Sequence, residues 1–356
     1  MSYFSLTIFL LYLFSTSAAF FTRYINTKVG NFVAIILAFI TFIIAASRPW
    51  YFPDVDTYFL MYEHAASGDF GNPLYWAAHG EPGFKIFTYY AYHAFDNFDI
   101  YLLVIALLSY TLLFSISKIS SVPFAYLWFT YFSFYFVTRD LGTLRLSIAS
   151  HLIVIFFLQR KIIWQVISLG IATTTFQIFS FIAIFAKMIS RVKINLTSIS
   201  ILFFISYAFS GLLDFEGIKF LIPEDRANNY GGSNVVSAGG VSIAIPIIRN
   251  LFFACLIFYL LKDKTRDQFV RLLIWSAFLS AALYIMTSGI LVVAQRFSAY
   301  FGAAVPLALA FLMNDNYFKN HQFLLVLAAC FFNFLTLFFF NDFIWKVKEY
   351  PLELLQ

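Results

Sequence analysis

Apolar residues recur along this chain in long runs, not in the alternation of a half-buried strand or the narrow stripe of a soluble helix. The runs lie at 3–21, 32–46, 100–117, 122–137, 143–158, 162–174, 176–190, 196–213, 241–261, 269–288, 297–313 and 322–340. A helix needs about 20 residues to cross a hydrocarbon core. The pattern therefore predicts an all-α, polytopic integral membrane protein of about 12 transmembrane helices, folded as one membrane domain over 1–356. Two features are not simple spans. Residues 83–95 are helical in pattern but too short to cross, which suits an interfacial or re-entrant helix in the first large outer loop. Residues 162–190 read either as one long helix or as two short ones turning near Thr173-Thr174-Thr175-Phe176-Gln177, and the charges favour two.

Composition agrees with the pattern. The chain is 62% apolar and only 12% charged, whereas soluble domains are about half apolar and about a quarter charged. A soluble enzyme, a disordered chain and a disulfide scaffold are excluded on that ground. Cys255 and Cys330 sit inside apolar runs and read as packing residues. The net charge of +5 speaks of orientation in a membrane, not of a nucleic-acid partner. No Lys or Arg precedes the first run, so it lacks the basic region of a secretory signal and reads as a retained helix.

The positive-inside rule assigns sides. With the N-terminus outside, the segments 22–31, 118, 159–161, 187–193, 262–271 and 314–321 face the cytoplasm and collect 13 basic and 3 acidic residues. The remaining 10 basic and 15 acidic residues fall elsewhere, mainly outside. Two helices within 162–190 keep Lys187, Arg191 and Lys193 inside. Two outer loops are long, about 47–99 and 214–240. The second is polar and rich in turn residues, from Pro223 through Gly231-Gly232 to Gly239-Gly240.

Chemistry concentrates outside. In the first loop Tyr58 and Tyr62 are four apart and share a helix face. Asp54 and Asp56 precede them and read in two ways, as N-terminal caps of that helix or as a carboxylate base at the membrane surface. Glu81 likewise stands near the positive end of the helix that Pro82 opens, or serves as a base. The aromatic neighbours would stack on pyranose rings, and carboxylates would accept hydroxyl hydrogen bonds. Arg139, Arg145, Arg249 and Arg296, the last opening the run 297–313 with Tyr300 one turn on, all lie at or near the outer leaflet. One such arginine is explained by snorkelling to lipid phosphates. Four suit a phosphate or pyrophosphate, which the guanidinium fork binds bidentately. His151 is mid-span and reads as a hydrogen-bonded core residue, and His64, His79 and His93 lack metal-ligand spacing.

An ordered set of these residues is similar to a known family. Asp56-x-Tyr58-x-x-x-Tyr62, then Glu81-Pro82-Gly83-Phe84, then Leu144-Arg145-Leu146-Ser147-Ile148-Ala149, and a later Arg296-x-x-x-Tyr300, resemble the EpsG-like branch of Wzy-type polysaccharide polymerases, over about residues 45–300. Two positions depart from the pattern. Leu146 stands where Gln is usual, and Gln177 stands where the family often carries a His, so a base at that place would be lost here.

The resemblance implies a bacterial inner-membrane glycosyltransferase with its site facing the periplasm or outside. It would polymerise oligosaccharide repeat units carried on undecaprenyl pyrophosphate, for a surface or exopolysaccharide. A sugar hydroxyl attacks the anomeric carbon and the lipid pyrophosphate leaves. The expected roles are Glu81 or Asp56 as catalytic base and Arg145 and Arg296, with Arg139 and Arg249, on the pyrophosphate. Tyr58, Tyr62 and Tyr300 would bind substrate. Arginines can stabilise that leaving group without a divalent ion, so no metal and no cofactor is expected. The implied partners are the lipid-linked glycan donor and acceptor, with a chain-length regulator and a flippase in the same membrane. The alternatives are a lipid-linked sugar flippase or transporter, or another membrane glycosyltransferase or ligase using a polyprenyl-linked donor. A flippase needs charge along a path through the bilayer, whereas here only His151 lies at mid-span.

The side assignment is testable. Cysteine replacing Lys264 should react only with membrane-permeant thiol reagents, and cysteine replacing Asn228 with impermeant ones from outside. The reverse labelling would overturn the topology.

Overall fold

Hydrocarbon offers the backbone no hydrogen-bond partner, so each apolar run must satisfy its own N–H and C=O groups, and it does so as helix. The structure is a computed structural model describing residues 3–48, 52, 54–70, 72, 80–210, 240–288, 291–315 and 319–340. Nearly all of the loop 214–240, and His79, lie outside the described residues. Among the described residues every regular element is helical. Seven helices are long and apolar enough to cross a membrane: Phe4–Tyr24, Thr27–Ala46, Phe98–Ser120, Ala244–Lys264, Gln268–Met286, Val293–Met313 and Asn320–Phe339. The chain is thus a multi-pass membrane protein.

The other five expected runs fold as shorter or interrupted helices, which is where the structure departs from a uniform set of twelve spans. Their breaks have local causes. The run 122–137 is α-helical only over Phe124–Tyr131 and continues as a π-helix, Phe132–Asp140. The run 143–158 forms Leu144–Leu158 and stops where Gln159 is extended, before Arg160 and Lys161. Between 162 and 190 the backbone breaks at Gln177, with φ −155° and ψ 109°, so two helical pieces form where a single long helix was the other reading. The run 297–313 begins earlier than expected, as Leu291–Gly302 followed by Ala304–Met313. Pro306 has no N–H for the carbonyl of Gly302, and the helix divides there. Arg296 therefore lies inside a helix and does not open one.

By contacts the chain separates into two compact units, residues 1–181 with 309–356, and residues 182–308. The first unit contains α1 (Tyr3–Tyr24), α2 (Thr27–Ala46), α3 (Val55–Ala66), α4 (Pro82–Phe95), α5 (Phe98–Ser120), α6 (Phe124–Tyr131) with its π-helical extension, α7 (Leu144–Leu158) and α8 (Ile162–Ile171) with a π-turn Ala172–Phe176. The C-terminal helix Asn320–Phe340 packs on the π-helix. Side-chain amides cap two of these helices. Asn26 Oδ1 accepts from Lys28 N–H at 2.7 Å, and Asn97 Oδ1 accepts from Asp99 N–H at 2.8 Å. The exposed face of α8 is apolar, with Ile162, Ile163, Trp164 and Val166 all open to the surroundings, as a lipid-facing surface requires. The two helices of the first long loop, α3 and α4, instead turn their apolar sides inward. Tyr58, Tyr62 and Phe84 are buried in one cluster with Tyr101 of α5 and Leu144 and Ile148 of α7.

The second unit is arranged around the helix Gln268–Met286, which packs against 183–189, 196–210, 240–261 and 291–302. Its polar ends are satisfied locally. Asp267 caps it, and Arg271 donates through Nε to the Ser190 carbonyl at 2.9 Å and through Nη1 to the Thr265 carbonyl at 2.9 Å.

One close approach sets where α4 lies. A Cβ placed on Gly83 would come within 2.5 Å of Thr175 Oγ1 and 3.0 Å of the Thr174 carbonyl. Glycine lets the first turn of α4 touch the π-turn of 172–176. Gly83→Val should lower the thermal midpoint of the detergent-solubilised protein by several degrees, since overpacking costs about 1–3 kcal/mol. An unchanged midpoint would show that the contact does not set the packing.

Candidate active site

The buried cluster brings one arginine against a carboxylate from a distant part of the chain. Arg145 is the second residue of α7, where backbone N–H groups have no partner within the helix. Its own N–H donates to the Tyr58 hydroxyl at 3.0 Å. Its guanidinium donates through Nη1 to Glu81 Oε2 at 2.8 Å, with side-chain exposures of 14% and 10%, so the pair is reachable yet largely dry. The same guanidinium lies 5.1 Å from the Phe84 ring centre.

Glu81 and Pro82 are positioned by α4. Pro82 occupies the first turn, where its missing N–H is not needed. Glu81 stands at the cap position but makes no side-chain cap bond. Its carboxylate is turned to Arg145, so proximity to the helix terminus is not its whole role. Gly80 precedes it with φ +107°, a left-handed backbone that favours glycine.

Tyr58 ties a second arginine to the first. Arg48, just past the end of α2, places its guanidinium 5.2 Å from the Tyr58 ring centre. Its Nη1 donates to the Asp140 carbonyl at 3.1 Å, while Nε and Nη2 find no hydrogen-bond partner among the described residues. Burial pulls the Arg48 guanidinium below its usual range and pushes the Tyr58 phenol above its own. Tyr58 thus remains a protonated phenol, able to accept from Arg145. Tyr62, one turn on, is buried among the rings of Tyr92, Phe98 and Tyr101. It has become part of the cluster that holds α3.

Behind Arg48 lies a sealed polar network at the end of the π-helix. Asp140 Oδ1 accepts from the Tyr131 hydroxyl and from Ser147 Oγ, each at 2.8 Å. Ser109 Oγ joins Ser147 Oγ at 2.9 Å and reaches His151 Nδ1 at 3.4 Å. His151 is therefore a hydrogen-bonded core residue, as expected from its place in the run. Arg139 is buried with its guanidinium 3.5 Å from the Tyr135 ring centre. A π-helix near such groups is a frequent mark of a functional site.

The second unit holds the other cations. Arg249 Nη2 lies 3.4 Å from Asn250 Oδ1, and Asn250 donates to Ser298 Oγ at 3.0 Å. Tyr300 is fully buried and Arg296 is half-buried one turn before it. Among the candidates, Arg145, Glu81, Tyr58 and Tyr62 are brought together, and Arg139 lies in the same unit. Arg249, Arg296 and Tyr300 belong to the second. Asp56 is exposed in the first turn of α3. Arg48 was not singled out by sequence, although a basic residue at an end of an apolar run that the charge pattern assigns to the outside was a signal for it. No group of three potential metal ligands forms among the described residues.

Arg145 and Glu81 should behave as one unit. Glu81→Gln and Arg145→Gln are each expected to lower stability, and the double variant to lose less than the sum, with a coupling of about 0.5–3 kcal/mol in a double-mutant cycle of denaturant midpoints. Strict additivity would mean that the ion pair does not form.

The match to known proteins is at the level of family. No curated protein and no solved structure matches the chain. The model of the EpsG family matches residues 31–352, nearly the whole chain and all of the cluster around Arg145. The chain belongs to the EpsG family, a family of Wzy-like polymerases, and is a polysaccharide polymerase-like membrane protein.

Proposed function

We propose that this protein polymerises oligosaccharide repeat units linked to undecaprenyl pyrophosphate, on the outer leaflet of a bacterial inner membrane. The chain crosses the membrane about twelve times, with the loop 47–99 outside and α4 lying at the interface. The shorter helices are included in that count, because lipid and neighbouring helices together cover their apolar sides. Family membership supports the reaction class. The observation that carries the site is the Arg145–Glu81 ion pair at the N-terminus of α7.

The mechanism follows from what each group can do. A helix N-terminus and a guanidinium both favour an arriving anion. Arg145, held by Glu81 and by the Tyr58 hydroxyl, meets the pyrophosphate of the donor and stabilises it as it leaves. Glu81 fixes the direction of the guanidinium fork. Arg139 of the same unit, and Arg249 and Arg296 of the second, offer further cations to the same class of ligand, with Tyr300 supporting Arg296. The exposed aromatic residues of α4, such as Tyr90, suit the faces of incoming sugars. A carboxylate of the first loop takes the proton of the attacking hydroxyl. A chain-length regulator and a flippase are the expected partners in the membrane.

The test is the surface-glycan ladder of a deletion strain, complemented with wild type or with Arg145→Ala at matched membrane level. The deletion should leave glycan of one repeat unit, wild type should restore the ladder, and the variant should restore less than about 1% of it, as for loss of a leaving-group cation. Loss of even the single repeat in the deletion strain would place the protein upstream, as a flippase or in repeat-unit assembly.

A further inference from the structure

Two aspartates stand two residues apart at the start of α3, and the helix treats them differently. Helix α3 begins at Val55, so Asp56 falls in its first turn, exposed, where a carboxylate meets the positive end of the helix dipole. That role explains Asp56 without a ligand. Asp54 has no such explanation. Its carbonyl accepts the first helical bond, from Tyr58 N–H at 2.9 Å, which puts it at the cap position, yet its side chain makes no capping bond. Its backbone is left-handed, φ 66° and ψ −3°, a region that residues with a side chain rarely adopt.

Asp54 also lies next to the candidate site. It holds the cap position, four residues before Tyr58, and its carbonyl carries the Tyr58 N–H. It is half-buried, and its charge interacts with Arg48, with Tyr58 and with Arg145. Arg145 is already paired with Glu81 at 2.8 Å, and Arg48 has two donors without a hydrogen-bond partner among the described residues. Of the three carboxylates read as candidate bases, then, Glu81 is tied to an arginine, Asp56 is exposed in the first turn of the helix, and Asp54 lies in the field of both arginines with no capping bond of its own.

We infer that Asp54, and not Asp56 or Glu81, is the carboxylate that takes the proton from the attacking sugar hydroxyl. The inference rests on the polymerase reading above. In the step, the acceptor O–H bond breaks and its proton passes to an Asp54 oxygen. The hydroxyl oxygen forms the new bond to the anomeric carbon, and the bond from that carbon to the pyrophosphate oxygen breaks with its electron pair. The pyrophosphate departs against Arg145, and Asp54 returns its proton to water outside.

The experiment uses membranes of the deletion strain, which hold their own pool of lipid-linked repeat units, carrying full-length wild type, Asp54→Asn, Asp54→Glu, Asp56→Asn, Glu63→Gln or Arg145→Ala. Chain extension is followed across pH, each variant is matched for membrane level, and its thermal midpoint is measured in detergent. Asp54→Asn should slow extension about 100-fold or more, the range for loss of a general base. Wild type should slow towards acid pH as its base becomes protonated, and that fall should disappear from the residual activity of Asp54→Asn. Asp54→Glu should recover part of the rate and keep the acid limb, and Asp56→Asn should stay within about threefold of Glu63→Gln. A purely structural role for Asp54 would lower the rate with the acid limb intact, or lower the midpoint, and either result overturns the inference. So does equal loss in Asp54→Asn and Asp56→Asn, or full activity of Asp54→Asn while Arg145→Ala is inactive. If the deletion itself leaves the ladder intact, the polymerase reading fails and takes this inference with it.

Discussion

A guanidinium set among aromatic rings needs an anion and hydrogen-bond acceptors brought to it, because leaving such a charge buried and alone is far costlier than pairing it. Arg145 is that guanidinium here, and meeting its needs organises the first unit. Glu81 arrives from the start of α4, sixty-four residues away in sequence, to pair with the guanidinium, and the Tyr58 hydroxyl of α3 accepts from the Arg145 backbone N–H. Each of these helices must be packed against α5 and α7 for its residue to reach. The small residue at Gly83 and the proline at 82 serve the same end, since one permits close contact with the π-turn and the other starts the helix at the right place. The segment Glu81-Pro82-Gly83-Phe84 is therefore one device. It supplies a charge, a helix start, a close approach and a ring against the arginine.

Next to it the π-helix Phe132–Asp140 delivers Asp140 into a closed group of hydroxyls, with Tyr131, Ser147 and Ser109 around it and His151 beyond. The hydrogen bonds to Asp140 Oδ1 fix these side chains in a low-dielectric interior, where each such bond is strong. Asp140 also lends its carbonyl to Arg48, which lies on the face of Tyr58. The closed network and the reachable ion pair are thus joined through one arginine and one tyrosine. That connection gives the carboxylate-rich first loop a fixed seat on the membrane helices.

Much of the fold was legible because the membrane imposes a simple rule on sequence. Runs with almost no charge must be helices, and their charged ends report their sides. Even so, only seven helices among the described residues are long enough to cross by themselves, for reasons the apolar pattern hides. A π-helical stretch and an extended Gln177 shorten or divide runs that composition alone shows as continuous. The break at Gln177 was visible, because positive charges on its far side would otherwise have faced the wrong way. The start of the helix holding Arg296 was not, because Leu291–Ala294 are apolar in either state.

For the site, the sequence by itself determined the chemistry available: loop carboxylates, arginines and tyrosines, in an order similar to a known family. It could not say which of them meet. Residues 48, 58, 81 and 145 are too far apart in sequence for spacing to relate them, and a hydrogen bond between them exists only once α3 and α4 are packed on α7. Sequence also could not separate Asp54 from Asp56, since either could begin a helix. Only the tertiary structure separates them, because a start at Val55 leaves Asp56 exposed in the first turn and Asp54 half-buried at the cap position, in a left-handed backbone.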